Sequence, residues 1–321
     1  MRAITYRQYG GPDVLRMEDV AQPVPQADEV VIAVEAAGVN HWDWDLLRGI
    51  PRSNRIGAWG GPANPILGSD VAGRIAAVGA GVTDLDVGDA VFGDLSGRGW
   101  GCFAELVSAP VDRLLRLPAG LSFTQAAAVP QSGAMAMQGL RGPGRIGPGR
   151  SVLINGAGGG MGTFAVQIAA AFGADVTAVD LGHKAEAMRR LGARRTIDYT
   201  SADYAATGPY DLIVDAECHR PVRQARAALA PDGRYGLVGG SSRALLAAAG
   251  LAAWSGVAGR QRVALVLHRP NRHLDALVPL LQQGRVVPLI DEVLPLEGVP
   301  EALSRIGAGQ VTGKLVIAVA R

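Results

Sequence analysis

The sequence predicts a two-domain α/β protein, a small all-β unit joined to a doubly wound parallel sheet. Three observations carry this. Up to about residue 120 the chain breaks into short β-branched runs separated by Gly, Pro and Asp. From about residue 123 helical and strand patterns alternate, and a glycine-rich loop joins the first strand of that half to a helix. At 321 residues there is length for two cores, at about 150 residues per domain.

Within the first part Glu29–Glu35, Val71–Gly79 and Asp89–Gly93 read as strands of a barrel-like unit. The second part opens with a helix over Phe123–Gly139, then a strand Ser151–Asn155, a helix Met161–Phe172 and a strand Asp175–Val179. It continues with a helix Lys184–Leu191, a strand Asp211–Asp215, a helix Pro221–Leu229 and strands Arg234–Val238 and Arg262–Leu267. A helix Leu274–Gln283 is closed by Gly284, and a strand Lys314–Val319 follows a Gly-rich loop. Such alternation builds right-handed βαβ units.

Composition excludes several classes of function. The chain has 31 Lys and Arg against 29 Asp and Glu, a net charge of +2, so there is neither a basic field for nucleic acid nor an acidic tail. The first seven residues lack the apolar core of a signal peptide. The uncharged stretch between Arg243 and Arg260 is too short and too rich in Ala, Gly and Ser to span a membrane. Two cysteines, Cys102 and Cys218, allow at most one bridge, which fits a reducing compartment and, by default, the cytoplasm.

The run Val152-Leu153-Ile154-Asn155-Gly156-Ala157-Gly158-Gly159-Gly160-Met161-Gly162 places glycines between a buried strand and a helix. Glycines let backbone approach a diphosphate, and the N–H groups of the first helical turn stabilise its charge without a basic side chain. Gly158, Gly159, Gly160 and Met161 are the expected contacts, and Gly162 lets the helix pack on the strand. Asp180, closing the next strand, is placed to accept from ribose hydroxyls, which favours NADH. Lys184, four residues on, suits the 2′-phosphate of NADPH, so both cofactors stay open.

Further motifs are Gly38-Val39-Asn40, Leu67-Gly68-Ser69-Asp70-Val71-Ala72-Gly73, Val87-Gly88-Asp89-Ala90-Val91-Phe92-Gly93, Ala126–Pro130 and Gly313-Lys314-Leu315-Val316. Together with Asn155–Gly162 they resemble the medium-chain dehydrogenase/reductase superfamily over essentially the whole chain, and its zinc-free quinone oxidoreductase branch most closely. The resemblance implies a GroES-like catalytic domain, 1–122 completed by 292–321, and a Rossmann domain, 123–291, with a cleft for the nicotinamide cofactor. It also implies homodimers joined through Rossmann sheet edges near Arg262–Leu267.

The resemblance places Asn40 beside the nicotinamide, Tyr199 beside the adenosine phosphate, and Lys314 near the cofactor. Gly239, Gly240 and Ser241 form the turn running past the nicotinamide. Where zinc alcohol dehydrogenases carry a ligand Cys this chain has His41-Trp42-Asp43, and where they carry Gly-His-Glu it has Gly68-Ser69-Asp70, so no metal is expected. His41 or Asp43 either relays a proton or is structural, Asp43 as a helix cap and His41 as a core histidine. Trp42, Trp44 and Asp45 are candidates for the substrate pocket, with at least one Trp expected in the core. Quinone reductases place a tyrosine near Asp45, and its absence here leaves room for another activated acceptor. Specificity is assigned to the loop Ile50–Pro65 and the segment Ser242–Gly259, with Ala244–Ala253 as a mobile cover.

The expected activity is hydride transfer from NADPH or NADH to an enone C=C or a quinone, since conjugate addition leaves a stabilised anion and asks less of the protein than a simple ketone. The alternatives are a metal-free alcohol dehydrogenase or imine reductase, and a non-catalytic dinucleotide-binding sensor.

Overall fold

The computed structural model describes residues 1–51, 55, 61–97, 99–141, 146–218, 220–239, 250 and 260–319. All of the expected cover Ser242–Gly259 but Gly250, half of the loop Ile50–Pro65, and Gly240 and Ser241 therefore lie outside the described residues. The chain divides into two compact units, Met1–Gln131 with Ile290–Arg321, and Ser132–Leu289.

The chain begins with β1 (Arg2–Thr5), β2 (Arg16–Asp19), β3 (Glu29–Val39), α1 (His41–Arg48), β4 (Asp70–Val78), β5 (Ala90–Asp94), β6 (Leu106–Pro110) and β7 (Leu115–Arg116). Two helices follow, α2 (Phe123–Ala127) and α3 (Pro130–Arg141). The sequence predicts one helix here. Pro130 divides it, because its ring removes an N–H and drives the preceding residue out of the α region.

Next come β8 (Ser151–Asn155), α4 (Gly160–Ala171), β9 (Asp175–Asp180), α5 (Ala185–Arg190), β10 (Arg195–Asp198), β11 (Tyr210–Asp215), α6 (Val222–Ala225), β12 (Leu229–Leu237), β13 (Arg262–Leu265) and α7 (Leu274–Gln282). The chain returns to the first unit with β14 (Ile290–Pro295), α8 (Val299–Gly307) and β15 (Lys314–Ala318). Neither β10, β14 nor α8 is among the predicted elements. α8 was legible in principle: Pro300 opens it and Val299, Ala302, Leu303 and Ile306 make an apolar stripe at helical spacing.

The first unit is built around β3, an apolar strand buried along most of its length. One edge pairs with β4 from Val30 to Gly38. The other is shared: β6 takes Glu29–Ala33, and β15 takes Ala36–Val39, both antiparallel. A segment near the C-terminus thus reaches the residues just before α1. Behind the strands a continuous core includes Ile32, Val34, Leu47, Phe103, Leu303 and Ile317. Each such buried side chain contributes roughly 1.5–3 kcal/mol.

The second unit is a six-stranded sheet in the order β10-β9-β8-β11-β12-β13, with every pair parallel. Numbered within the unit, that is the 3-2-1-4-5-6 order of dinucleotide-binding sheets, whose ligands sit at the carboxyl ends of the strands. Among the described residues no helix is long and apolar enough to cross a membrane.

One contact fixes how α4 meets β8. A Cβ at Gly162 would lie 2.0 Å from the Gly156 carbonyl oxygen and 2.6 Å from Ala157 Cα, both backbone. Gly162→Ala should therefore lower stability by about 3 kcal/mol, since main chain rather than a rotamer has to move. A fall in urea midpoint, with Ala165→Gly on the same helix as a propensity control, would measure it.

Candidate active site

The loop after β8 is shaped by its own main chain. Gly156 has a φ of +80°, which favours glycine, and the N–H groups of Gly156 and Ala157 both donate to the Val179 carbonyl at 3.0 and 3.1 Å. Gly159 caps α4, accepting from Thr163 N at 3.0 Å. The first-turn N–H groups of Gly160, Met161 and Gly162 have no preceding turn to bond, so the helix presents donors and the positive end of its dipole together. A diphosphate fits this cradle.

Asp180 ends β9 and is nearly buried. Its Oδ2 accepts from Gly158 N and its Oδ1 from Leu181 N, each at 2.8 Å. Lys184 is buried with it, Nζ 3.5 Å from Asp180 Oδ1. The lysine stem packs against Gly158: a Cβ there would meet Lys184 Cδ at 2.6 Å. Tyr199 follows β10, and its hydroxyl is pushed above its usual range, first by burial and then by the Asp180 carboxylate. Asp180, Lys184 and Tyr199 thus share one neighbourhood. Gly239 approaches the backbone so closely that a Cβ would lie 2.4 Å from Ala216 O.

Asp215, at the end of β11, was not singled out from the sequence. Fully buried, it accepts from Asn155 Nδ2 at 2.8 Å, from Cys218 N at 2.7 Å and from the Tyr235 hydroxyl at 2.7 Å. These bonds tie the carboxyl ends of β8, β11 and β12 together. No short-range pattern marks such a residue, because its side-chain partners come from two other strands, β8 and β12.

In the first unit α1 carries most of the residues that the sequence suggests for chemistry. Asn40 caps the helix, and Asp43 in its first turn reaches back, Oδ2 accepting from Asn40 N at 2.8 Å. Asp43 Oδ1 accepts from Gly68 N at 3.0 Å. The side chain of His41 is 70 % exposed, with Nε2 3.8 Å from Asp45 Oδ1, so His41 is a solvent-facing residue rather than a core histidine. Trp42 packs edge-on against Trp100, centroids 5.4 Å apart at 88°. Trp44 faces the core and lies over Gly307 of α8, where a Cβ would come within 2.4 Å of its ring.

Beneath α1 lies a polar cluster that no local motif announces. Asp43, Asp70 and Asp94 are fully buried, and Lys314, at the start of β15, is 2 % exposed. Lys314 Nζ donates to Val39 O at 2.9 Å and to Asn40 Oδ1, and lies 3.6 Å from Asp70 Oδ2. Asn40 Nδ2 donates to Asp70 Oδ2 at 3.0 Å, while Asp70 Oδ1 accepts from Gln131 N at 3.0 Å. Gln131 Nε2 reaches Ser69 Oγ at 3.3 Å.

Burial raises the Asp43 carboxyl to about 7, against the pull of the Asn40 and Gly68 N–H groups and of Lys314. It also raises Asp70 and lowers Lys314, each resisted by the other's charge. The Cys102 thiol is pushed well above its usual range by burial and by the same carboxylates.

Residues 26–119 match the family model described as alcohol dehydrogenase GroES-like domain, and residues 191–317 the one described as zinc-binding dehydrogenase. A chloroplast envelope quinone oxidoreductase homolog of Arabidopsis thaliana is 30% identical over 339 residues, covering 99% of this chain and 98% of the relative. The chain belongs to the medium-chain dehydrogenase/reductases. Within that superfamily it falls in the quinone oxidoreductase-like branch. The structure of the quinone oxidoreductase from Coxiella burnetii matches with a TM-score of 0.88 at 27% identity, covering 100% of this chain and 99% of that one. An NADPH-dependent alkenal/one oxidoreductase, chloroplastic, also of Arabidopsis thaliana, is 30% identical over 99% of this chain and 79% of its own.

Zinc does not suit the residues that this medium-chain dehydrogenase/reductase carries at the ligand positions. Ser69 is a poor zinc ligand, both Asp70 oxygens already accept N–H groups, and the Lys314 ammonium lies beside them. Among the described residues no group of three or more His, Cys, Asp or Glu is arranged to hold a metal.

The Asp43 carboxyl has a pH consequence with a definite sign. Its value rises from an ordinary 3.8 to about 7 on folding, so its contribution to stability is complete below about 3.8 and is lost as pH rises through about 7. In Asp43→Asn that part of the slope should vanish, while overall stability drops because one N–H loses its acceptor. Urea midpoints of both proteins from about pH 4 to pH 8 would show it.

Proposed function

We propose that the protein is a zinc-independent NAD(P)H-dependent oxidoreductase that delivers hydride to the activated C=C of an enone or to a quinone. The observation that carries this reading is the occupation of the Gly68-Ser69-Asp70 ligand position by a hydrogen-bond network with Asn40, Gln131 and Lys314, together with a diphosphate cradle on α4. The names of the two Arabidopsis relatives and of the Coxiella structure support the substrate class.

When bound, the reduced nicotinamide supplies the hydride. The chain's own residues do the rest. The amides of Gly160, Met161 and Gly162 hold the diphosphate, with Gly158 and Gly159 keeping the loop bare of side chains. Asp180 and Lys184 form a neutral pair at the adenosine ribose, so neither a hydroxyl nor a phosphate there is refused. Tyr199 and Gly239 line the same ligand. Asn40 borders the nicotinamide, and Trp42 with Asp45 shapes the acceptor pocket on α1. For the proton that completes reduction, His41 is the better placed of the two candidates. It exchanges with solvent, whereas both Asp43 oxygens are engaged by main-chain N–H groups.

Two free cysteines suit a reducing compartment such as the cytoplasm. β13 is the last strand of the described sheet and is followed by Leu267, 68% exposed, which makes that edge our candidate for the homodimer contact. Light scattering on the purified protein would test it.

A panel of enones, quinones and alcohols, followed by loss of reduced-nicotinamide absorbance, tests the activity. Turnover of an enone or quinone is expected after exhaustive dialysis against chelator, and turnover of alcohols alone overturns the reading. Lys184→Ala should raise KM for NADPH about tenfold and leave KM for NADH within about threefold, because only the phosphate needs the ammonium.

A further inference from the structure

The Asn40 carboxamide is gripped at both ends by charged groups. Its Oδ1 accepts from Lys314 Nζ, and its Nδ2 donates to Asp70 Oδ2 at 3.0 Å. An ammonium only donates, and an ionised carboxylate only accepts. Turning the amide over would set NH2 against the ammonium and oxygen against the carboxylate, which reverses two buried, charge-assisted bonds at once. An amide NH2 can donate twice, so capacity for a ligand remains beyond these two bonds. We infer that Lys314 and Asp70 are positioning residues: together they fix which end of the Asn40 carboxamide is oxygen and which is nitrogen, and so how it presents itself to the dinucleotide. This rests on the proposed place of Asn40 beside the nicotinamide.

The strands explain the arrangement. β15 pairs with β3 so that Leu315 lies opposite Val39, which sets Lys314 beside the N-cap of α1. β4 pairs with β3 so that Asp70 lies opposite Gly38. A Cβ at Gly38 would come 2.3 Å from Ala127 O and 3.1 Å from Asp70 Oδ2, so this close approach needs glycine. Asp43 of α1 and Asp94 of β5 also act on Lys314 through their charge. The simpler role for Lys314 is to neutralise that buried negative charge.

A double variant separates the two roles. Lys314→Met leaves buried carboxylates uncompensated, and Asp70→Asn alone leaves the ammonium with less negative charge around it. Lys314→Met/Asp70→Asn loses one charge of each sign. In it the Gln131 main-chain N–H, which cannot turn, claims the oxygen of the introduced amide. The NH2 of that amide then faces Asn40, whose carboxamide turns over to accept from it. Charge balancing predicts that stability and dinucleotide affinity recover together. Positioning predicts that stability recovers while affinity does not.

The probes are NADH and NADPH, titrated by their fluorescence, with thermal unfolding alongside. We expect Lys314→Met to raise both dissociation constants at least about tenfold, and the double variant to melt close to the wild type yet bind as weakly as Lys314→Met. Affinity that recovers with stability overturns the inference, as does Lys314→Met binding like the wild type. The chain has five asparagines, so [15N]asparagine labelling gives few side-chain NH2 signals, and Asn40→Ala identifies the one at issue. That signal should move in the double variant, and an unmoved signal also overturns the inference. Should Lys314→Met fail to fold, the double variant and Lys314→Arg, expected to keep the oxygen-facing donor and most of the affinity, carry the test. These readouts need no acceptor. A protein that binds dinucleotide as described but reduces no enone or quinone refutes the proposed reaction and leaves the positioning intact.

Discussion

An ammonium taken out of water must find opposite charge and acceptors close by, and in the first unit that requirement governs both the strand arrangement and the site. Lys314 meets it with a main-chain carbonyl, an amide oxygen and a carboxylate drawn from β3, the α1 N-cap and β4. The register of β15 on β3 brings them together. Replacing both charges with apolar groups of similar volume often costs little stability. A pair of this kind is therefore better explained by what it orients than by what it stabilises, and here it orients an amide at the start of the helix bearing the candidate site.

The second unit answers the same problem differently. Among the described residues Asp215 makes no ion pair, and its charge is met by neutral donors: an asparagine amide, a tyrosine hydroxyl and two successive backbone N–H groups. The Tyr235 hydroxyl is held in its protonated form by burial and by the carboxylate it bonds, so it stays a donor. The result is a fixed node at the carboxyl ends of β8, β11 and β12, where a doubly wound sheet presents its ligand. The diphosphate cradle starts one residue after Asn155, so the same node anchors the strand from which the loop departs.

What was legible in the sequence follows from the range of each interaction. The glycine loop, the strand before it and Asp180 at the end of the next strand lie within thirty residues and obey local rules, and the structure brings Asp180 onto Gly158. The Pro130 break is also written locally, but the residues on either side favour helix and mask it. β10 escaped because four residues with one buried side chain carry no usable alternation. The bond between Lys314 and Asn40 spans 274 positions and lies beyond any periodicity argument. Only the resemblance placed both residues near the cofactor, and it gave no hint that they bond to each other. Of the two readings of His41, core histidine and relay, its position in the first turn of α1 removes only the first, by turning the ring outward.

A protein that reduces enones and quinones handles compounds that alkylate thiolates, so the ionisation of its own cysteines matters. The chain carries two, both unpaired. Cys102 is buried under three carboxylates, which together with desolvation hold its thiol protonated. Cys218 is half-buried, and its thiol is raised first by burial and then by Asp215, with the Tyr235 hydroxyl pulling weakly the other way. Conjugate addition to sulfur proceeds through the thiolate, so each upward shift slows it in proportion to the thiolate lost. The carboxylates of the two clusters therefore also keep both cysteine thiols in their less nucleophilic form. The acid groups needed to orient Asn40 and to anchor β8 thus give this chemistry a second benefit without any further residue.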